Sequence, residues 1–233
     1  MVAVVIGGSV AHGYARPDSD VDLVVVLEEP RASRTFTDRS AADYPGGYLD
    51  GKLVTRGFLH EVAARGSEPA RWAFQDAFVT YTRDPEVPEL VRRAAAYPED
   101  GVEERLRTFV AYLLIHVWFM GEADKRADPY LATYAASRVT LFAGRAVLAR
   151  NRALYPFHKW FLRELERLED RPPELLDLIH RVLREPAQLR AQELADCVTA
   201  FCGVELEPLE PAERFLAGTE WSWRHGAAAP EDL

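Results

Sequence analysis

The stretch GGSVAHGYARPDSDVDLVVVL, residues 7–27, decides how this chain is read. It follows an apolar run, VAVVI at residues 2–6, that reads as a buried strand. Gly7-Gly8-Ser9 turns off that strand and opens a helix. Such a turn leaves backbone N–H groups and the Ser9 hydroxyl facing an anion. Gly13 permits a tight exit. Ser19-Asp20-Val21-Asp22 then enters a second, β-branched strand, VDLVVVL, which is stopped by Glu28-Glu29-Pro30. Strand side chains alternate between faces, so Asp20 and Asp22 project on the same side. Two carboxylates so close repel each other unless a cation lies between them.

Hard oxygen ligands of this kind suit Mg²⁺, which carboxylates hold together with substrate phosphates. A phosphate cradle shortly ahead of a paired-Asp metal site reads naturally as nucleotidyl transfer, with metals at the α-phosphate and the attacking hydroxyl. Two metals call for a third carboxylate facing the pair from a neighbouring strand. Asp50, in YLDGKLV, is the candidate; Asp43, in a loop-like context, is the alternative. Asp50 also has a plainer reading as a turn carboxylate, because Asp-Gly is a turn dipeptide.

The pattern G-G-S-x₃-G-x₆-D-x-D, with apolar strands on both sides, resembles the DNA polymerase β-type nucleotidyltransferase superfamily. It is most similar to the minimal and aminoglycoside-type bacterial members. The resemblance implies a mixed-sheet catalytic domain, two Mg²⁺ ions, and transfer of a nucleoside monophosphate from an NTP. It implies triphosphate contacts for Gly8 and Ser9, and metal contacts for Asp20, Asp22 and, by a looser match, Asp50. His12 stands where many minimal members carry Arg, and is expected on the helix surface near the cradle. The chain begins directly at the motif strand where members usually have a preceding helix, so either the start is trimmed or a later helix covers that sheet face.

Outward from the motif, Tyr48 to Thr55 and Ala77 to Thr82 read as further strands, with helical spacing from Phe58 to Arg65 between them. This is a small sheet-and-helix domain over residues 1–90. DPEVPELV, with prolines at 85 and 88, reads as the hinge. Beyond it, Val102 to Gly121, Tyr130 to Arg150, Lys159 to Glu169, Pro173 to Leu183 and Ala187 to Phe201 carry apolar residues at helical spacing, with prolines between them. The expected fold is therefore α+β: a small mixed-sheet nucleotidyltransferase domain, an all-α helical-bundle domain over 91–225, and a loose tail over 226–233.

Composition narrows the partners. The 233 residues carry a net charge of −9 and are 48% hydrophobic, enough for a real core. Neither half has a basic surplus for phosphate-backbone contacts: residues 1–90 hold 9 basic against 14 acidic residues. That argues against duplex nucleic acid and against a template-directed polymerase, and suits a metal-bound nucleotide. Cys197 and Cys202 make no disulfide framework and fit a reducing cytoplasm. No targeting segment is visible, and Phe109 to Met120 is too short an apolar run to span a membrane.

The helical half is expected to complete the cleft. Lys159, beside Trp160, is a candidate for the triphosphate, with a side chain snorkelling over Trp160 as the plainer reading; Lys125 and Arg138 rank lower. Glu103, Glu104, Glu122, Asp124 and Asp128 qualify by type as a general base, though most read as ordinary helix charges. Arg152-x₅-His158 mimics the Arg-x₄₋₆-His motif of helical ribonucleases, but Pro156 interrupts it. The function expected is Mg²⁺-dependent transfer of an NMP, with ATP as donor, to a hydroxyl of a small molecule such as one of aminoglycoside type. The alternatives are AMPylation of a protein acceptor, in the manner of antitoxin-type nucleotidyltransferases, and a non-catalytic nucleotide-binding module.

Overall fold

The N-terminal apolar run forms strand β1 (Ala3–Ile6), and the run carrying Asp22 forms β2 (Val21–Leu27). They pair antiparallel, with Ala3 facing Val26 and Ile6 facing Leu23. Strands β3 (Thr35–Asp38), β4 (Leu49–Thr55) and β5 (Phe78–Thr82) complete a five-stranded sheet of order β3-β4-β2-β1-β5. Strands β2 and β4 run parallel, while the other neighbours are antiparallel. The sheet is thus mixed, as the resemblance implied. The computed structural model describes residues 1–40, 47–224 and 226. Asp43 and most of the expected tail lie outside them.

Alternation along the strands sends Ala3, Val5, Val24 and Val26 into one core. Helix α2 (Arg56–Arg65) covers that face with Leu59 and Val62, and α4 (Val87–Ala94) with Val87, Leu90, Val91 and Ala94. Each such side chain contributes roughly 1.5–3 kcal/mol on burial. Helix α1 (Gly8–Ala11) follows β1 directly, and α3 (Glu68–Trp72) lies between α2 and β5.

The expected hinge at DPEVPELV is instead the start of α4. Pro88 sits in the first helical turn, which tolerates it because the N–H groups there have no intrahelical partner, and Pro85 lies just ahead of the Glu86 N-cap. Buried Arg71 fastens this region, donating to the carbonyls of Ala63, Gly66 and Ala96 at 3.1, 2.8 and 3.1 Å. The contact boundary accordingly falls later, between units Met1–Pro98 and Glu99–Leu233.

The second unit is helical: α5 (Val102–Arg126), α6 (Pro129–Arg150), α7 (Phe161–Arg167), α8 (Leu175–Arg184), α9 (Gln188–Cys202) and α10 (Glu210–Gly218), then a single 3₁₀ turn, Ser222–Arg224. Helix α6 starts at Asp128, whose carboxylate accepts from the N–H groups of Tyr130 and Leu131, with Pro129 in the first turn. Gly144 lets α7 approach α6, since a Cβ there would lie 2.3 Å from Phe161. The core joins Leu113, Val117 and Met120 of α5 to Val139, Ala143 and Val147 of α6, and to Ile179, Leu194 and Val198. No described helix is long and apolar enough to cross a membrane.

Helix α10, absent from the sequence expectations, meets α5 through the Phe215 ring, packed on Tyr112 and Phe119, and through paired charges. Arg107 bonds Glu210 at 2.5 Å, and Arg214 bonds both Glu210 and Glu104, at 2.8 and 2.5 Å. Hydrogen bonds from Arg107 and then Arg214 hold the Glu210 carboxyl at about 2, below its ordinary 4.5. A carboxylate with a depressed folded pKa stabilises above its unfolded value and loses that contribution as pH falls through the folded one. Glu210→Gln is therefore expected to melt a few degrees below the parent at pH 7. The gap should close progressively as pH drops from about 4.5 toward 2. Thermal denaturation followed by circular dichroism over that range checks it, and a gap independent of pH would deny the charge any part.

Candidate functional site

Parallel pairing places Asp50 of β4 directly beside Asp22 of β2. Asp20 lies just before β2, and carboxylate oxygens of the three residues all lie within 4.8 Å of one another. Each is half-buried. The alternation that sends Val24 and Val26 into the core sends Asp22 to the same side of the sheet, at the end left partly open to solvent. Gly51 is in strand conformation, so the turn reading of Asp50-Gly51 does not hold. The Phe36 ring covers Gly51 so closely that a Cβ would lie 2.0 Å from it. The missing side chain makes room for a cross-strand aromatic, an arrangement that pins the register of the pair.

The turn Gly7-Gly8-Ser9 is packed onto this cluster. The Gly7 N–H donates to the Asp22 carbonyl at 3.0 Å. Gly8 has φ +60°, and a Cβ on it would sit 1.7 Å from Asp22 Oδ2. Glycine is required there twice over: for its left-handed backbone, and because the carboxylate occupies the side-chain position. Ser9 is buried with its hydroxyl unpartnered among the described residues. A buried polar atom without a partner costs free energy unless a ligand supplies one. Three hard oxygen donors and an orphaned hydroxyl on one turn together fit a divalent cation with a phosphate beside it.

Two residues that the sequence reasoning did not select complete the cluster. Thr37, on β3 opposite Asp50, donates its hydroxyl to Asp50 Oδ1 at 3.0 Å. Tyr48 donates its phenol to Asp20. The charge of Asp20, that hydrogen bond and the charge of Asp50 together raise the phenol above its ordinary 10.0, while Arg39, 4.9 Å over the Tyr48 ring, opposes them. No local pattern marked Thr37 or Tyr48. Strand β3 is four residues long within the polar stretch RASRTFTDRS, and Tyr48 lies just outside β4.

His12 departs from expectation. It is buried, not on a helix surface: it stacks on Trp72 at 3.8 Å and bonds Asp76 through Nδ1 at 3.1 Å. The aromatic stack and the carboxylate tie the end of α1 to the segment before β5, so His12 buttresses the turn from behind.

The candidates from the second unit have local roles. Lys159 Nζ stands 5.0 Å over the Trp160 ring, matching the snorkelling geometry. Lys125 pairs with Glu122 at 2.8 Å, and Arg138 stacks over Phe142 at 5.2 Å. Of the general-base candidates, Glu104 serves Arg214, Glu122 serves Lys125 and Arg126, and Asp128 caps α6. Asp124 accepts from the Gln188 N–H at the start of α9, at 2.8 Å. Arg152 pairs with Glu99 and His158 with Tyr155, in a non-helical segment, so the ribonuclease-like spacing builds no site. In the first unit, a cavity of about 950 Å³ opens at the opposite end of the sheet, beside Val2, Leu27 and Thr55. Its charges pair among themselves, Arg56 with Asp84 and Arg83 with Glu28.

Residues 2–66 match the family model of the nucleotidyltransferase domain, a span that holds Gly8, Ser9, Asp20, Asp22 and Asp50. Among solved structures, the chain is similar to a nucleotidyltransferase-like protein from Exiguobacterium sibiricum 255-15. The TM-score is 0.51 and the identity 14%, covering 100% of this chain and 77% of that one. No curated protein matches it.

Gly8→Ala tests the turn. The strained φ alone costs of order 1–3 kcal/mol, and the methyl must also displace the Asp22 carboxylate. The variant is expected to melt at least several degrees below the parent. An unchanged melting temperature would mean that the turn is not packed on Asp22 as described.

Proposed function

We propose that this chain, which carries a polymerase β-type nucleotidyltransferase domain and is a nucleotidyltransferase, transfers AMP from ATP to a hydroxyl of a small-molecule acceptor. The observation that carries the reading is the carboxylate triad of Asp20, Asp22 and Asp50 packed against the Gly8-Ser9 turn. In such a transfer the acceptor oxygen bonds the α-phosphorus, the bridging P–O bond to the β-phosphate breaks, and pyrophosphate leaves. The hydroxyl proton passes to a base.

Within this reading Asp20, Asp22 and Asp50 hold Mg²⁺, two ions being the count the family implies. When bound, the metal neutralises phosphate charge that would otherwise repel the incoming oxygen. The chain's own residues prepare that chemistry. Gly8 brings bare backbone against the site, where a side chain would exclude the phosphates. Ser9 offers its unpartnered hydroxyl to a phosphate oxygen. Thr37 holds one oxygen of Asp50 by hydrogen bond, leaving the other for metal. The small-molecule acceptor is supported by the chain's acidity, which disfavours nucleic acid as acceptor. ATP as donor is the choice to be tested first among the four common NTPs.

The first experiment is a thermal-shift panel of ATP, GTP, CTP and UTP, each with and without Mg²⁺. A Mg²⁺-dependent rise with ATP above the other three supports the proposal. A rise with another NTP replaces the donor, and none with any NTP overturns the site. Asp20→Asn and Asp22→Asn should each abolish that rise and reduce transfer at least a hundredfold, by order of magnitude, at unchanged fold. Undiminished transfer would remove the metal assignment. Thr37→Val, which touches the exposed edge strand, should weaken Mn²⁺ binding severalfold and leave the melting temperature of the free protein within about a degree.

A further inference from the structure

The second unit contains a cavity built from its own residues. It has a volume of about 390 Å³ and is lined by Phe119, Tyr134, Phe215, Trp223, Glu220 and the hydroxyl residues Thr219 and Ser222. That size falls within the roughly 300–1,000 Å³ of small-molecule sites. Its floor is built and rigid. Phe119 and Phe215 pack edge to face at 5.7 Å, and both surround His116, as does Tyr134, at ring separations of 5.7 to 5.8 Å.

His116 is fully buried, and its Nδ1 donates to the Tyr112 carbonyl at 2.6 Å. A carbonyl can only accept, so Nδ1 carries the proton and Nε2 keeps a lone pair, with no partner among the described residues. Burial pushes the imidazole down to about 4, from an ordinary 6.5, so it is neutral at physiological pH and adds no positive charge beneath the cavity.

The mouth is of a different character. Trp223 is 68% exposed, an unusual state for an indole. Glu220 is exposed at the rim with no ion pair among the described residues. Aromatic faces carry negative potential at their centres, so a ring-lined cavity with one unpaired carboxylate attracts a cation that also has apolar surface. Arg138, whose guanidinium lies 5.8 Å from the Tyr134 ring centre, does not line the cavity. An anionic ligand would meet Glu220 and the ring faces first.

We infer that this cavity is a binding site for a small organic ammonium ion, held by Trp223, Phe119 and Phe215 through their ring faces and by Glu220 through charge. The site stands on the second unit's own residues, so it does not depend on the nucleotidyl-transfer reading.

The test is a ligand-observed NMR titration of the intact chain with choline. Its uncharged isostere 3,3-dimethylbutan-1-ol, which has the same shape without the charge, is the comparison. Choline is expected to bind saturably, with the isostere at least tenfold weaker, a factor equal to about 1.4 kcal/mol. Trp223→Ala should weaken choline at least tenfold and Glu220→Gln severalfold. Both positions are exposed, so the variants should melt as the parent does. Absence of saturable choline binding, isostere binding as tight as choline, or full affinity in Trp223→Ala would each overturn the site.

Discussion

Three carboxylates held within 4.8 Å of one another are the constraint around which the first unit is organised. Such a cluster repels itself, and the fold holds it together through neighbours rather than through distance. Parallel pairing of β2 and β4 sets Asp22 beside Asp50. Hydroxyls of Thr37 and Tyr48 satisfy carboxylate oxygens on either side. The bare Cα of Gly8 then closes against Asp22 where any other residue would collide. The arrangement stores like charge at one end of a sheet whose core-facing valines are apolar, and a divalent cation is the natural counterpart.

The support for that cluster comes from elements with no chemistry of their own. Helices α2 and α4 bury the strand valines and so fix the sheet's twist and register. Arg71 ties the ends of both helices through backbone carbonyls, spending a buried cation on three acceptors. His12 and Trp72 back the turn that carries Ser9. Polar residues buried in this way are bonded to the backbone or to each other, as the cost of an unpartnered group requires. Among the described residues the Ser9 hydroxyl, Trp72 Nε1 and His12 Nε2 have no hydrogen-bond partner, and of these Ser9 lies on the turn packed against Asp22.

The second unit uses the same physics differently. Its helices pack on an alanine- and leucine-rich core, and α10 is added through an arginine–glutamate network together with the Phe215 ring. Buried His116 organises a group of rings without bearing charge itself, and those rings are the floor of a cavity with an acidic, aromatic mouth. Many of the charges that looked mobile in the sequence turn out to be engaged. Asp124, Asp128, Glu104 and Glu122 each complete a helix end or an ion pair.

How much of this was legible in the sequence depended on the range of the interaction. The motif strand, the turn and the Asp pair read directly, because strand alternation and glycine's backbone freedom act within a few residues. Helices α5 to α9 of the second unit read from their 3.6-residue period, and the mixed-sheet fold followed from the family resemblance. Strand β3 and helix α10 were missed: one is too short to show a period, and the other is held by Phe215 and by charges paired with a distant helix. His12 was misplaced because its burial comes from Trp72 and Asp76, which lie far along the chain. By itself the sequence determined the Asp20–Asp22 pair, the Gly8-Ser9 turn and the segments with a clear period, since local periodicity and backbone sterics decide those. Only the tertiary structure decided that Asp50 joins the pair, that Thr37 and Tyr48 attend it, and that rings from four helical elements line a cavity. Contacts across separate elements depend on register and packing, and no local pattern in the chain encodes either.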